Sequence, residues 1–285
     1  MLSKILVSSA IALSLAACAK PAETADNGAA TNAAAATAAR LSIVRLDCGT
    51  IKVGDFSKAF SDQQIYAHGP KTLTDSCYLI SHGDQHLLWD TGLPAALKGK
   101  SNTEGDFTAS LDKTIVEQLA QLRVKPEEID VVGISHMHFD HTGQAAAFPN
   151  ARLVIGKSDL DKSAGKDDPF GPWRKQGAQV TAQDADIDIF GDGSVTALFL
   201  PGHTPGHHAL LVKLGSGPVL LSGDLYHAAE AREKRGVPPF NTDRSQTLAS
   251  MDKFEGVAKQ TGAKVIVQHE PADIAKLPAF PNAGE

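Results

Sequence analysis

Three cysteines in 285 residues are too few for a disulfide framework, so the chain must be held by its own core. A composition that is 42% hydrophobic can supply one. Positive charge is also short: 27 Lys and Arg face 33 Asp and Glu, a formal net charge of −6. That balance argues against a broad basic face for nucleic-acid phosphates. The apolar N-terminal run, Ile5 to Ala17, is 13 residues long. It falls short of the roughly 20 that cross a bilayer as a helix. No internal repeat is visible, and the length suits one large domain or two small ones.

The N-terminal run instead fits an export signal, with Lys4 as its positive start. It ends Leu15-Ala16-Ala17-Cys18, which resembles a bacterial lipoprotein box. The expectation is a signal peptide over 1–17 and lipid on Cys18. The segment 18–40 then reads as an alanine-rich flexible tether. Ala19 after the cysteine implies sorting to the outer membrane, facing the periplasm. An ordinary signal with Cys18 incidental would give a soluble periplasmic protein. The folded catalytic domain is expected over 41–285.

What the chain does have is histidine, concentrated. His136-Met137-His138-Phe139-Asp140-His141 packs four potential metal ligands into six residues. In an extended segment His136, His138 and Asp140 point to one side. The run Ile129–Ile134 before the motif reads as a buried strand, and Gly143 to Ala147 after it as a short helix. The motif therefore lies on a loop at a strand end, where open α/β sheets place their sites. Imidazole and carboxylate are the usual protein ligands of catalytic zinc.

Further ligand-type residues end other apolar runs. His203 follows Val195–Leu200, Asp224 ends Val219–Asp224, and His269 ends Lys264–His269. Strand ends converging on one sheet edge can bring these together.

The rest of the chain reads as strands and helices around that edge. Leu41–Ile51, Cys77–Ile80 and His86–Asp90 read as strands. Lys52–Leu73 reads as a long loop carrying Phe56, Phe60 and Tyr66, a candidate lid or pocket wall. Leu111, Ile115, Leu119 and Leu122 form one helical face over Ser110–Leu122, with Ser110 as N-cap. Lys166–Gln176, which holds Trp173, reads as an exposed polar insertion. Gly191-Asp192-Gly193 and Gly215-Ser216-Gly217 mark hairpins, and Thr247–Ala258 reads as a helix. Cys48 and Cys77 fall in early strands, either bridged or as adjacent free thiols. The sum is an αββα sandwich of two sheets with helices outside.

The seven ligand-type residues, in this order, resemble the metallo-β-lactamase superfamily of metal hydrolases over about residues 41–280. The resemblance implies two Zn²⁺: one on His136, His138 and His203, one on Asp140, His141 and His269, with Asp224 bridging. It also implies that Asp90 in Asp90-Thr91-Gly92 fixes a ligand histidine. Class B β-lactamases typically carry cysteine or serine where Asp224 stands. Glyoxalase II enzymes carry a C-terminal helical segment, whereas 16 residues follow His269 here.

The wider pattern resembles the N-acyl homoserine lactonase branch, in Leu88–Pro94, Ser135–His141, Pro201–His207 and Ser222–His227. That branch implies lactone-ring opening, hence quorum quenching, by attack of a metal-bridging hydroxide, with Asp140 passing a proton to the leaving oxygen. Well-studied members place a tyrosine three residues after the bridging aspartate. Here that position is His227, and Tyr226 precedes it, so both are candidate substrate contacts. The competing expectations are a β-lactamase, thioesterase or phosphodiesterase on the same site, or a non-enzymatic zinc-binding lipoprotein. The expected partner is a small lactone or ester.

Overall fold

The computed structural model describes residues 40–285. The candidate signal, Cys18 and the tether up to residue 39 lie outside the described residues.

Two sheets form the frame. The first contains β1 (Leu41–Val53), β2 (Lys71–His82), β3 (Gln85–Trp89), β4 (Lys100–Glu104), β5 (Phe107–Leu111), β6 (Val131–Gly133), β7 (Arg152–Ile155) and β8 (Val180–Ala182). Its order is β4-β5-β1-β2-β3-β6-β7-β8. The second contains β9 (Ile187–Asp188), β10 (Val195–Phe199), β11 (His208–Leu214), β12 (Gly217–Leu221) and β13 (Lys264–Ile266), in the order β13-β12-β11-β10-β9. The helices are α1 (Phe56–Phe60), α2 (Ile115–Gln121), α3 (Phe139–Thr142), α4 (Lys157–Lys162), α5 (Ala229–Lys234), α6 (Arg244–Thr261) and α7 (Pro271–Ile274).

Period-2 alternation divides each strand between two cores. Tyr78, Ile80, Leu87 and Trp89 turn inward against Ala197, Leu210, Val212 and Leu221 of the second sheet. Leu79, Leu88 and Val132 turn outward and meet Ile115 and Leu119 of α2. Leu198, Leu211 and Leu220 meet Met251 and Phe254 of α6. The expected αββα sandwich is thus observed, as are both glycine hairpins, with β9–β10 and β11–β12 pairing antiparallel across them.

Three local expectations are corrected. The helix expected from Ser110 begins at Ile115, because Phe107–Leu111 pairs as β5 with β1 and β4. Its cap is Thr114, whose hydroxyl accepts from Glu117 N–H while Glu117 accepts from Thr114 N–H. The long loop over Lys52–Leu73 is largely structured: β1 runs on to Val53, α1 follows and β2 starts at Lys71. Its three aromatics stack, Phe56 on Phe60 at 5.1 Å and on Tyr66 at 5.2 Å. The segment Lys166–Gln176 is anchored rather than free, since Phe170 and Trp173 are buried and Trp173 donates Nε1–H to Ala151 O at 2.7 Å. Cys48 and Cys77 form a disulfide between β1 and β2.

Candidate metal centre

All seven ligand-type residues come from strand ends at one edge of the sandwich. The loop after β6 carries His136 and His138 and runs into α3, which carries Asp140 and His141; His203 follows β10, Asp224 follows β12 and His269 follows β13. The parallel pairings β3–β6 and β12–β13 set the neighbouring strand ends side by side.

They form two groups that meet at Asp224. In the first, His136 Nε2, His138 Nδ1 and His203 Nε2 lie 3.0–3.1 Å from one another. In the second, Asp140 Oδ2 lies 4.0 Å from His141 Nε2 and 3.9 Å from His269 Nε2. Asp224 spans both. Its Oδ2 is 3.6 Å from His136 and 3.5 Å from His203, and its Oδ1 is 3.1 Å from His141 and 2.9 Å from His269.

This donor set fits two divalent cations. A triangle of imidazole nitrogens at van der Waals distance cannot be satisfied by shared protons alone, because each neutral ring has one N–H. Three of the ligand rings, one in the first group and two in the second, use an N–H on the outside. His203 donates Nδ1–H to Asn241 Oδ1 at 2.8 Å, His141 to Asp90 Oδ2 at 2.9 Å, and His269 to Thr74 O at 2.8 Å. The inward Nε2 of His203 is left with its lone pair facing the centre of the first group, and a cation at the second centre would displace the protons that His141 and His269 hold at Nε2 toward Asp224. Asp224 Oδ1 is buried, with the ring nitrogens of His141 and His269 as its close neighbours.

A cavity of about 590 Å³ opens over the two groups. His138, Asp140, Asp224, His227 and His269 meet it on the metal side, while Ile51, Phe60, Leu97, Phe107 and Phe240 make its apolar walls. Of the two candidate substrate contacts, His227 lines this cavity and Tyr226 does not. Tyr226 turns into the α6 core, edge-on to Phe254, and donates its hydroxyl hydrogen to Glu255 at 3.1 Å. An adjacent residue in extended backbone faces the opposite way, so the strand direction that aims His227 at the cavity buries Tyr226. His227 Nε2 lies 3.0 Å from Asp224 Oδ2, and its ring centroid is 4.5 Å from that of Phe60.

Residues 72–269 match the model of the metallo-beta-lactamase superfamily. The chain belongs to the metallo-β-lactamase superfamily. It is 32% identical over 220 residues to the N-acyl homoserine lactonase AttM of Rhizobium johnstonii, covering 68% of this chain and 81% of that protein. It is 30% identical over 231 residues to AttM of Agrobacterium fabrum, covering 71% and 85%. Among solved structures, an N-acyl homoserine lactone hydrolase with N-hexanoyl-L-homoserine bound at its catalytic metal centre superposes with a TM-score of 0.73. That match has 22% identity and covers 87% of this chain and 100% of the other.

Charge is distributed unevenly over this superfamily site. Burial pushes His136 and His203 well below the usual imidazole range, with Asp224 opposing in part, so both rings are neutral. Burial likewise opposes charge on His141 and His269, but Asp224 outweighs it, helped by Asp90 and Asp140 at His141 and by Asp140 at His269. His141 is held well above its ordinary value, and His269 is raised to about 9. Burial would raise Asp224, yet His269, His141, His227 and His136 together hold it well below the carboxylate range. The His141–His269 side thus carries an excess of carboxylate that calls for positive charge.

Several groups that set this geometry carry weak sequence signals. Asp90 was legible, and it accepts from Ser135 N–H at 2.7 Å and Gln268 Nε2–H at 3.0 Å besides His141. Gln268 was missed; its Oε1 accepts from Gly223 N–H at 2.9 Å, next to Asp224. Its signal is an amide at the end of an otherwise apolar strand run. His207 accepts the Asp224 N–H at Nε2, 3.0 Å away, and donates Nδ1–H to Leu200 O at 3.0 Å. Asp159, in a stretch that reads as an ordinary helix start, was also missed.

Proposed function

We propose that the protein is a dinuclear metal hydrolase that opens the lactone ring of N-acyl homoserine lactones. The observation that carries this reading is Asp224, with one carboxylate oxygen facing each histidine group at the foot of an apolar cavity. His136, His138 and His203 would hold one ion, Asp140, His141 and His269 the other, with Asp224 shared. Zinc suits a donor set dominated by imidazole. The lactonase names of the AttM relatives, and a dizinc lactonase, AidC, among the structural neighbours, support the choice of substrate and metal.

When bound, two such ions polarise the ester carbonyl and activate water. The chain's own residues do the rest. Phe60, Phe107, Phe240 and Leu97 receive the acyl chain and exclude water from the ring. His227 stands where the lactonase branch has its tyrosine, and it donates a hydrogen bond to the substrate carbonyl. Asp140, on the cavity floor, takes the proton that the attacking water gives up and hands it to the ring oxygen as the C–O bond breaks. The net change adds water across the ester and yields a hydroxyl and a carboxylate, with one proton released to solvent. We further propose export through residues 1–17 and a lipid anchor on Cys18 at the outer membrane, with 18–40 as the tether.

The test is elemental analysis of zinc-reconstituted protein together with turnover of lactone, β-lactam, thioester and phosphodiester substrates side by side. Two ions per chain and a preference for the lactone are expected. One ion per chain, or faster turnover of another class, would overturn the assignment.

A further inference from the structure

Asp159 lies on α4, outside the seven ligand-type residues, and is fully buried at 0% exposure. Its carboxylate accepts three hydrogen bonds. Oδ2 takes Met137 N–H at 3.1 Å and the Thr204 hydroxyl at 2.6 Å, and Oδ1 takes Gly206 N–H at 2.7 Å. Met137 sits between His136 and His138, and Thr204 follows His203. One side chain therefore grips both loops of the three-histidine group. These loops leave different sheets, β6 and β10, so neither strand pairing fixes their separation. One backbone bond, His208 N–H to Ser135 O at 2.8 Å, links them on the far side.

The joint is built for close approach. A Cβ on Gly206 would come within 2.8 Å of Asp159 Cγ, and a Cβ on Gly156 would stand 2.0 Å from Gly206 O. Glycine at both positions lets the start of α4 press against the His203 loop. A buried carboxylate with three donors is costly to place unless all are made. His141 and His269 are tied differently, through Asp90 and Thr74.

We infer that Asp159 is a positioning residue that fixes the spacing between the His136–His138 loop and the His203 loop, and thereby the seat of one ion of the pair. The inference rests on the dinuclear reading above. It assigns Asp159 an effect on one ion rather than on the fold at large. Asp159→Asn keeps the shape but turns one acceptor into a donor facing Thr204 or Gly206. Thr204→Val removes the shortest of the three bonds and keeps the carboxylate.

The experiment is chelator competition for zinc on wild type, Asp159→Asn, Asp159→Glu and Thr204→Val, with visible spectra of the cobalt-substituted proteins. In Asp159→Asn one dissociation constant should rise about 10–100-fold while the other stays within about threefold, the range seen when an outer partner of a ligand is lost. Thr204→Val should move the same site by less, and Asp159→Glu should recover part of the loss. The cobalt bands of one site should change and those of the other persist. Wild type binding fewer than two ions would overturn the proposed function and this role with it. Two ions in wild type, with both sites weakened equally or neither weakened in Asp159→Asn and Thr204→Val, would overturn the positioning role alone.

Discussion

Replacing Asp90 with asparagine isolates one hydrogen-bonding choice in a buried network. Asp90 has φ +59°, a left-handed conformation that asparagine adopts as readily as aspartate, so the backbone is unchanged. The carboxylate receives three N–H groups, from Ser135, His141 and Gln268. An amide can accept on one oxygen only. If that oxygen keeps Ser135, the NH₂ faces His141 Nδ1 and the Gln268 amide. His141 then relieves the clash by giving up its Nδ1 proton and keeping the one at Nε2 toward Asp224, which leaves Nε2 with no lone pair for an ion. If the amide flips, the Ser135 backbone bond at the head of the histidine motif is lost instead. Either way at least one hydrogen bond to a charged group disappears, worth about 1.5–3 kcal/mol. That corresponds to about a 10–100-fold loss in affinity for one ion, the scale on which outer partners of metal ligands act. The ion on the His141 side should weaken, and the ion on His136, His138 and His203 should persist. Isothermal titration of metal-free Asp90→Asn with zinc reads both steps. Unchanged affinity at both steps would refute the tautomer argument, and equal loss at both would show that Asp90 serves the fold rather than His141.

Metal-free protein prepared by chelation should be most stable near pH 6.5. His141 and His269 have folded-state values above the ordinary imidazole value, so their contribution is complete below about 6.5 and is lost as pH rises toward about 9 for His269. His136, His203 and His207 have depressed values, to about 3 for His207, so stability also falls as pH drops below about 6.5. Thermal melts from pH 5 to 9.5 should therefore peak for the metal-free protein, and a flat profile would contradict the charge distribution. His227→Ala should lower lactone kcat by on the order of 2–4 kcal/mol in barrier, the scale of an oxyanion donor, while Tyr226→Phe costs only stability. Steady-state kinetics that reversed the two would place the substrate contact at Tyr226. Reduction of the Cys48–Cys77 bridge, 29 residues apart in sequence, should cost roughly 3–4 kcal/mol of stability by the loop-entropy relation. Calorimetry with and without a dithiol checks it, and an unchanged melting temperature would mean that the bridge constrains nothing.

The metal centre was legible because its ligands sit at ends of apolar runs, and an apolar run ends where the buried strand reaches the sheet edge. Residues with chemically conspicuous side chains at those points, such as Asp224 and His269, declare themselves. The groups that aim them do not. Asp159 and Gln268 are polar residues whose partners are backbone amides on loops far away in sequence. No local periodicity records a contact between residues 159 and 206. The helix boundary at Ser110 failed for a related reason. Leu111 satisfies the helical face with Ile115 and Leu119, but it is also buried as the last residue of β5, and pairing with β4 and β1 decides the matter. Likewise the alternation that separates Tyr226 from His227 cannot say which of the two faces inward until the direction of the turn over Gly223–Leu225 is known.

The site's electrostatics also explain why its supports are so numerous. Six imidazoles and two carboxylates are held at or below 9% exposure around the cavity floor, counting His136, His141, His203, His207, His227, His269, Asp140 and Asp224. Buried polar groups of this kind cost free energy unless each is partnered. The outward nitrogens meet Asn241, Asp90, Thr74 and Leu200, and the inward atoms meet one another around two centres. Close contacts between like lone pairs are unfavourable in themselves, so the supports must hold them against relaxation. Cations at the two centres would turn the same contacts into attractive ones. The apolar cavity above then strengthens any charge interaction made there, because water is displaced from the carbonyl by the walls of Phe60, Phe107 and Phe240. Removing a wall residue should therefore weaken both substrate binding and the polarising effect of the floor, whereas removing a support such as Asp90 should act through the metal alone.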